Sequence, residues 1–181
     1  MEARDLAPLL PELRALHREL RDRVLAGRRG AGREGLAEPV AEAEDTIYRI
    51  DRVGEAELVD LARCHLGRRR VTLVAEGLGE LRLDGGEGAP LRMIVDPIDG
   101  TRPLMHDKRS GWILTGVAPD RGRETSLSHI LLAVMTEIPV TRQWRADQLW
   151  ALAGRGAGGE AEDLIRGGRR PLRPAPSRAA G

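Results

Sequence analysis

The apolar residues of this chain change their period near residue 70, and no other feature limits the fold as much. Before that point Leu9, Leu10, Leu13, Leu16, Leu20 and Val24 recur every three or four positions. That spacing predicts an amphipathic helix over about Pro11 to Ala26, with Pro11 in a first turn that does not need its N–H. A second helical pattern runs from about Asp45 to Leu66 through Ile47, Ile50, Leu58, Leu61 and Leu66. The Gly/Arg-rich stretch Gly27 to Gly35 connects the two. After residue 70 the runs are short and strand-like: Val71 to Ala75, Glu80 to Leu83, Leu91 to Val95, Trp112 to Val117, Ile130 to Met135 and Trp144 to Leu152. The second and third of these are joined by the loop Asp84-Gly85-Gly86-Glu87-Gly88. Two helices followed by five or six strands predict an α+β fold, with helices on one face of a largely antiparallel sheet. From Gly154 onward little remains to bury, so the expected organisation is one domain over 1–157 and a flexible Gly/Arg/Pro-rich tail over 158–181.

Composition narrows the function. The 29 basic and 28 acidic residues nearly cancel, so no global field draws the protein to nucleic acid or to a membrane. With no Phe and one Tyr, the core must be packed from Leu, Val, Ile and Ala. Cys64 is the only cysteine, which excludes an intrachain disulfide and fits a reducing compartment. The N-terminus has no signal-peptide pattern, and the longest apolar run, Ile130 to Met135, is far too short to span a bilayer. A soluble, cytoplasmic protein is expected.

The chemistry concentrates in Asp96-Pro97-Ile98-Asp99-Gly100-Thr101, directly after the strand Leu91 to Val95. Pro97 fixes its own φ and biases Asp96 toward an extended conformation, so Asp96 and Asp99 can point into one cavity. Two converging carboxylates suit Mg²⁺, a hard cation that shares its oxygen ligands with substrate phosphate. Gly100 lets a backbone N–H approach an anion, and Pro103 suits the start of a helix whose free N–H groups would face a phosphate. Asp, Pro and Gly are also turn formers. A turn alone explains Pro97 and Gly100, but not two acids at this spacing after a strand.

The hexapeptide resembles the signature of the lithium-sensitive inositol monophosphatase superfamily, which includes fructose bisphosphatases and nucleotide phosphatases. Val74-Ala75-Glu76 is similar to the family's strand ending in a metal-binding Glu. Ile50-Asp51-Arg52-Val53 with Glu55 resembles its early Asp-bearing helix start. Arg155-Gly156-Ala157 followed by Pro171-Leu172 resembles the Gly-rich hairpin and strand that close its first domain, and His106 falls where the family often has His. The resemblance covers about residues 6 to 177. It implies that Glu76, Asp96 and the Ile98 carbonyl hold one Mg²⁺ and that Asp96 and Asp99 share a second. It further implies that Thr101 with Asp51 activates the attacking water and that the Gly100 and Thr101 amides hold the phosphate. The implied substrate is inositol phosphate or a related sugar phosphate, and the implied assembly a homodimer.

Three departures stand against that pattern. The family generally has two adjacent acids where this chain has Glu76-Gly77. Arg-Pro-Leu-Met follows Thr101 in place of the usual Asn-Phe pattern. The family's second domain, with its further metal-binding Asp, is expected to be absent, since the chain ends where that domain would begin. The alternative to an enzyme is therefore a noncatalytic truncated paralogue or fragment that keeps the metal site. A distant third, an RNA-binding module, rests on Arg166, Arg169, Arg170, Arg173 and Arg178, which lack interleaved aromatics and read better as a solvated tail. His17 and His65 are expected on helix surfaces. Asp107-Lys108-Arg109 fits a substrate-facing loop and a solvated one equally.

Overall fold

The structure, a computed structural model, describes residues 1–30 and 49–172. The first helix, α1 (Leu9–Gly30), buries Leu9, Leu13, Leu16, Leu20 and Val24 along one face. It begins two residues before Pro11, which still falls among the first N–H positions that a helix leaves unbonded. It also takes in Gly27 to Gly30 of the expected connector; positions 31–35 lie outside the described residues. The second helix, α2 (Arg49–Leu66), buries Ile50, Leu58, Leu61, Ala62 and Leu66 and packs on α1. Its expected beginning at 45–48 is likewise outside them. Each aliphatic side chain so buried contributes about 1.5–3 kcal/mol, so the two stripes suffice to hold the helices down.

Eight strands follow, two or three more than expected: β1 (Arg69–Ala75), β2 (Gly79–Asp84), β3 (Glu87–Asp99), β4 (Gly111–Pro119), β5 (Leu132–Ile138), β6 (Arg145–Leu152), β7 (Gly156–Asp163) and β8 (Arg169–Pro171). They form one sheet in the order β2-β1-β3-β4-β5-β6-β7-β8, and every pair is antiparallel except β1 with β3. The fold is α+β. A short helix, α3 (Thr101–Met105), interrupts the chain between β3 and β4.

One expectation fails here. β2 and β3 are two strands joined by a loop, as expected, but they do not pair with each other, because β1 lies between them. β1 buries Val71, Leu73 and Ala75 and needs a neighbour on each side, whereas the polar alternation of β2 suits an edge. The described part of the expected tail, up to position 172, is not loose. β7 bonds to β6 over its whole length, and β8 bonds to β7. β7 is built on close approach and charge instead of hydrophobic bulk. A Cβ at Gly158 would lie 2.7 Å from Trp150 Cε2, so only glycine lets the indole cover the strand. Arg173 and Arg178 lie outside the described residues, and Arg169 is paired with Glu162 at 3.3 Å.

His17 is also misplaced by the sequence reading. It is fully buried between α1 and the sheet, with Nε2 2.7 Å from Thr115 Oγ1 and Nδ1 3.1 Å from Thr136 Oγ1. Burial, reinforced by Arg18, pushes its imidazole down to about 3, so it is neutral. His65 is half-buried and lies 3.1 Å from Glu19 Oε2.

The other face of the sheet is open among the described residues. Ile94, 48% exposed, joins Leu114, Met135 and Leu149 around an apolar depression of about 570 Å³. Among the described residues no helix is long and apolar enough to cross a membrane.

Candidate active site

Parallel pairing of β1 and β3 brings the first two acids together. Ala75 is in register with Val95, so the strands deliver Glu76 and Asp96 side by side at one end of the sheet. Had β2 and β3 formed a hairpin, these two acids would have been separated by a strand.

Past Asp96 the ladder is broken. Asp96 pairs with Leu114 and Asp99 with Trp112, so β3 spends three steps where β4 spends two. One extra residue is thus inserted at Pro97-Ile98, and Pro97 has no N–H to give to the ladder there. Such a bulge twists the strand and re-aims its side chains. The Ile98 N–H turns back to donate to Asp96 Oδ1 at 3.0 Å. Gly100 then adopts φ 81°, a left-handed conformation that explains a glycine at this position. The space around it is ordinary, with the nearest atom 3.7 Å from a hypothetical Cβ, so conformation and not crowding selects it. α3 starts at Thr101 with Pro103 as its third residue, two positions later in the helix than expected.

α2 is held against this bulge at Gly54, where a Cβ would meet Ile98 Cδ1 at 3.0 Å and Pro97 Cβ at 3.5 Å. The close approach brings Asp51, in the first turn of α2, to Thr101. The Thr101 hydroxyl lies 2.7 Å from Asp51 Oδ1 and 2.9 Å from the Ile98 carbonyl. It has a single proton to share between these two acceptors. One turn further along α2, on the same face as Asp51, Glu55 reaches over Gly77. Glu55 belongs to the group, although the sequence reading gave it no role. Its signal was the Asp51-to-Glu55 spacing, which puts two acids on one helix face.

Asp51, Glu55, Glu76, Asp96 and Asp99 thus form one acidic neighbourhood. Burial holds the Asp96 carboxyl above its usual range; the carboxylates of Asp99, Glu76 and Asp51 push the same way, against the hydrogen bond from Ile98. Burial also raises the Glu55 carboxyl, opposed by Arg52 and reinforced by Asp51 and Glu76. The chemistry of this donor set fits Mg²⁺, since every group is an oxygen. The side-chain carboxylates of Glu55, Glu76 and Asp99 receive no hydrogen bond or ion pair from any described residue. Their spacing is a different matter. Among the described residues no three His, Cys, Asp or Glu side chains stand close enough to hold a metal ion as they are. The acids share a field without sharing a coordination sphere.

The flanking residues divide clearly. His106 is exposed at the end of α3. Asp107 is buried and accepts hydrogen bonds from the Thr141 N–H at 2.8 Å and hydroxyl at 2.5 Å, so it pins a loop. Lys108 and Arg109 are exposed.

Solved structures share this fold. Leishmania major fructose-1,6-bisphosphatase in holo form superposes with a TM-score of 0.67 at 15% identity, covering 92% of this chain and 53% of that one. Its T-state gives 0.62 at 13% identity over 94% and 52%, and its apo form 0.61 at 12% over 92% and 50%. The chain spans about half the length of these structures. No family model and no curated protein matches its sequence.

Proposed function

We propose that this chain carries the catalytic site of a Mg²⁺-dependent phosphomonoester hydrolase of the inositol monophosphatase type, acting on inositol phosphate or a related sugar phosphate. The observation that carries the proposal is the Thr101–Asp51 hydrogen bond, set at the end of a bulged Asp-Pro-Ile-Asp strand beside Glu76. It supports the reading because a hydroxyl donating to a carboxylate is set to pass a water proton onward. The fold likeness to a fructose bisphosphatase supports the substrate class.

In this proposal Glu76, Asp96 and the Ile98 carbonyl hold one Mg²⁺, and Asp96 and Asp99 share a second. Bound Mg²⁺ supplies charge neutralisation on the phosphoryl oxygens and acidifies the attacking water. Thr101 orients that water through its hydroxyl and relays its proton to Asp51. The Gly100 and Thr101 amides donate to the phosphoryl oxygens. No covalent nucleophile is required. A reducing cytoplasm suits the unpaired, exposed Cys64, and a homodimer completes the proposal, to be checked by light scattering.

The noncatalytic reading is favoured by one observation, the lack of three acids already in ligand positions. A single experiment decides between the two. Phosphate release is measured from inositol monophosphate and fructose bisphosphate, with and without Mg²⁺, for the wild type and Asp96→Asn. Mg²⁺-dependent release lost in Asp96→Asn is the expected result. Release that is missing in the wild type, or unchanged by the substitution, sinks the enzyme reading.

A further inference from the structure

Gly54 lies in the interior of α2, where a glycine weakens a helix relative to alanine. Its backbone is helical and not left-handed, so conformation does not call for glycine here. Space does. A Cβ at position 54 would lie 3.0 Å from Ile98 Cδ1, 3.2 Å from Ile98 Cγ1 and 3.5 Å from Pro97 Cβ. The other branch of the same side chain meets a second glycine without a left-handed backbone. A Cβ at Gly111, where β4 starts, would lie 3.6 Å from Ile98 Cγ2 and 3.1 Å from the Asp99 carbonyl oxygen. Ile98 is thus seated between a glycine of α2 and a glycine of β4, and it is only 5% exposed.

Its backbone is held as well. The Ile98 N–H donates to Asp96 Oδ1 at 3.0 Å, and its carbonyl accepts from the Thr101 hydroxyl at 2.9 Å. A β-branched side chain in such a seat has few rotamers to yield with. Asp51 lies three residues before Gly54, on the same face of α2. The height at which α2 rests on Ile98 therefore sets the 2.7 Å between Asp51 Oδ1 and the Thr101 hydroxyl. A helix lifted by the few tenths of an ångström that a methyl group at position 54 demands would stretch that contact toward the limit of a good O–H···O bond.

We infer that Ile98 is a positioning residue: its side chain is the spacer that sets Asp51 against Thr101, and Gly54 is glycine so that α2 can rest on it. The role in catalysis rests on the phosphatase reading above; the hydrogen bond that the spacer sets does not.

The test moves one methyl group between the two positions. Gly54→Ala adds one against Ile98, Ile98→Val removes Cδ1, the atom nearest the addition, and the double variant does both. Urea unfolding of the metal-free protein reads the hydrogen bond, through the loss that Thr101→Val causes in each background. In the wild type that loss should be about 10-fold in the folding equilibrium constant, as for a hydrogen bond to a carboxylate. It should shrink to about 3-fold in Gly54→Ala and return to about 10-fold in Gly54→Ala/Ile98→Val. Ile98→Val alone, which loosens the seat, should shrink it too, and it carries the test should Gly54→Ala not fold. Phosphate release should follow, with kcat about 10-fold lower in Gly54→Ala, KM unchanged, and recovery in the double variant. A core-packing role alone would move the stability of the single variants but not the Thr101→Val loss. The same loss, within about 2-fold, in every background overturns the inference at any level of activity. Coupling that holds in a wild type releasing no phosphate overturns the enzyme reading, and the catalytic role with it, while leaving the spacer in place.

Discussion

Two groups of carboxylates occupy opposite halves of the sheet, and they are treated in opposite ways. Glu160 and Glu162 on β7 are surrounded by arginines. Arg14 and Arg18 reach Glu160 at 2.5 and 3.5 Å, and Arg21 and Arg169 reach Glu162 at 2.9 and 3.3 Å. Burial would raise the Glu162 carboxyl, but Arg21, with Arg169 behind it, outweighs burial and holds it below the usual range. At the other end, Asp96 and Glu55 are both raised, by burial and by each other's neighbours. The first group is neutralised within the chain and fastens α1 across β6 and β7. In the second the acids push one another upward, with Arg52 opposing the rise at Glu55 and no described arginine placed to depress Asp96 as Arg21 depresses Glu162, which is the balance the proposed cation site calls for.

The largest test of that contrast is to remove one acid from the mutually repelling group. Asp96→Asn should cost several kcal/mol of transition-state stabilisation, about 10³-fold in phosphate release. Without metal the same variant should be at least as stable as the wild type, because it relieves like-charge repulsion. A metal-free protein that is strongly destabilised by Asp96→Asn would mean that these acids are structural after all. The converse substitution is Arg21→Met on the paired side. Arg21 is only 2% exposed, and its loss leaves Glu162 with a weaker partner in a half-buried place. Stability should fall by about 3 kcal/mol in urea unfolding, equally with and without Mg²⁺.

Acid separates the two regions by sign. His17 binds its proton near pH 6.5 when unfolded but only near 3 when folded. Between those values the unfolded state holds more protons, so stability falls as pH drops, by about 1.4 kcal/mol per unit. Glu162 adds a loss of the same sign below its unfolded value of 4.5, because its folded carboxyl is depressed. Asp96 runs the other way: its raised carboxyl takes up a proton on acidification more readily folded than unfolded, so the metal-free site gains stability as pH falls through its folded value. Unfolding of His17→Gln between pH 4 and 6 should therefore lose about 1.4 kcal/mol per unit of slope relative to wild type. An unchanged slope would show that His17 is protonated within the fold.

Much of this was legible in the sequence, and the failures share a cause. The leucine stripe of α1 and the aliphatic runs of β1, β3, β4, β5 and β6 announce themselves by period, because they bury carbon. The hexapeptide is legible for another reason, since its chemistry is local to six residues. β7 was missed because it is buried by glycine under Trp150 and by ion pairs to α1, and neither registers as hydropathy. The family likeness of Arg155-Gly156-Ala157 did point to a hairpin there. His17 stands at the right interval between Leu13 and Leu20 to face the core, yet only Thr115 and Thr136, about a hundred residues away, make that tolerable. The parallel pairing of β1 with β3, which sets Glu76 beside Asp96, depends on where β2 goes, and no local pattern encodes that.

The smallest expected effect comes from salt. Raising NaCl from 0.1 to 1 M shortens the Debye length from about 10 Å to about 3 Å. Glu160 and Arg14 are in contact and mostly shielded from solvent, so screening should change their pairing little. Glu76 and Asp99 are exposed, and their repulsion with Asp96 reaches through solvent that salt can fill. Salt also strengthens apolar burial throughout the protein, so the informative quantity is a difference between two proteins. In the absence of divalent metal, wild type should gain about 0.5 kcal/mol more from added salt than Asp96→Asn does, which is the size of a surface charge interaction. An equal gain in the two would mean that the acids are too far apart, or too well solvated, to repel one another. That result would remove the contrast between the two regions while leaving the ion pairs of β7 untouched.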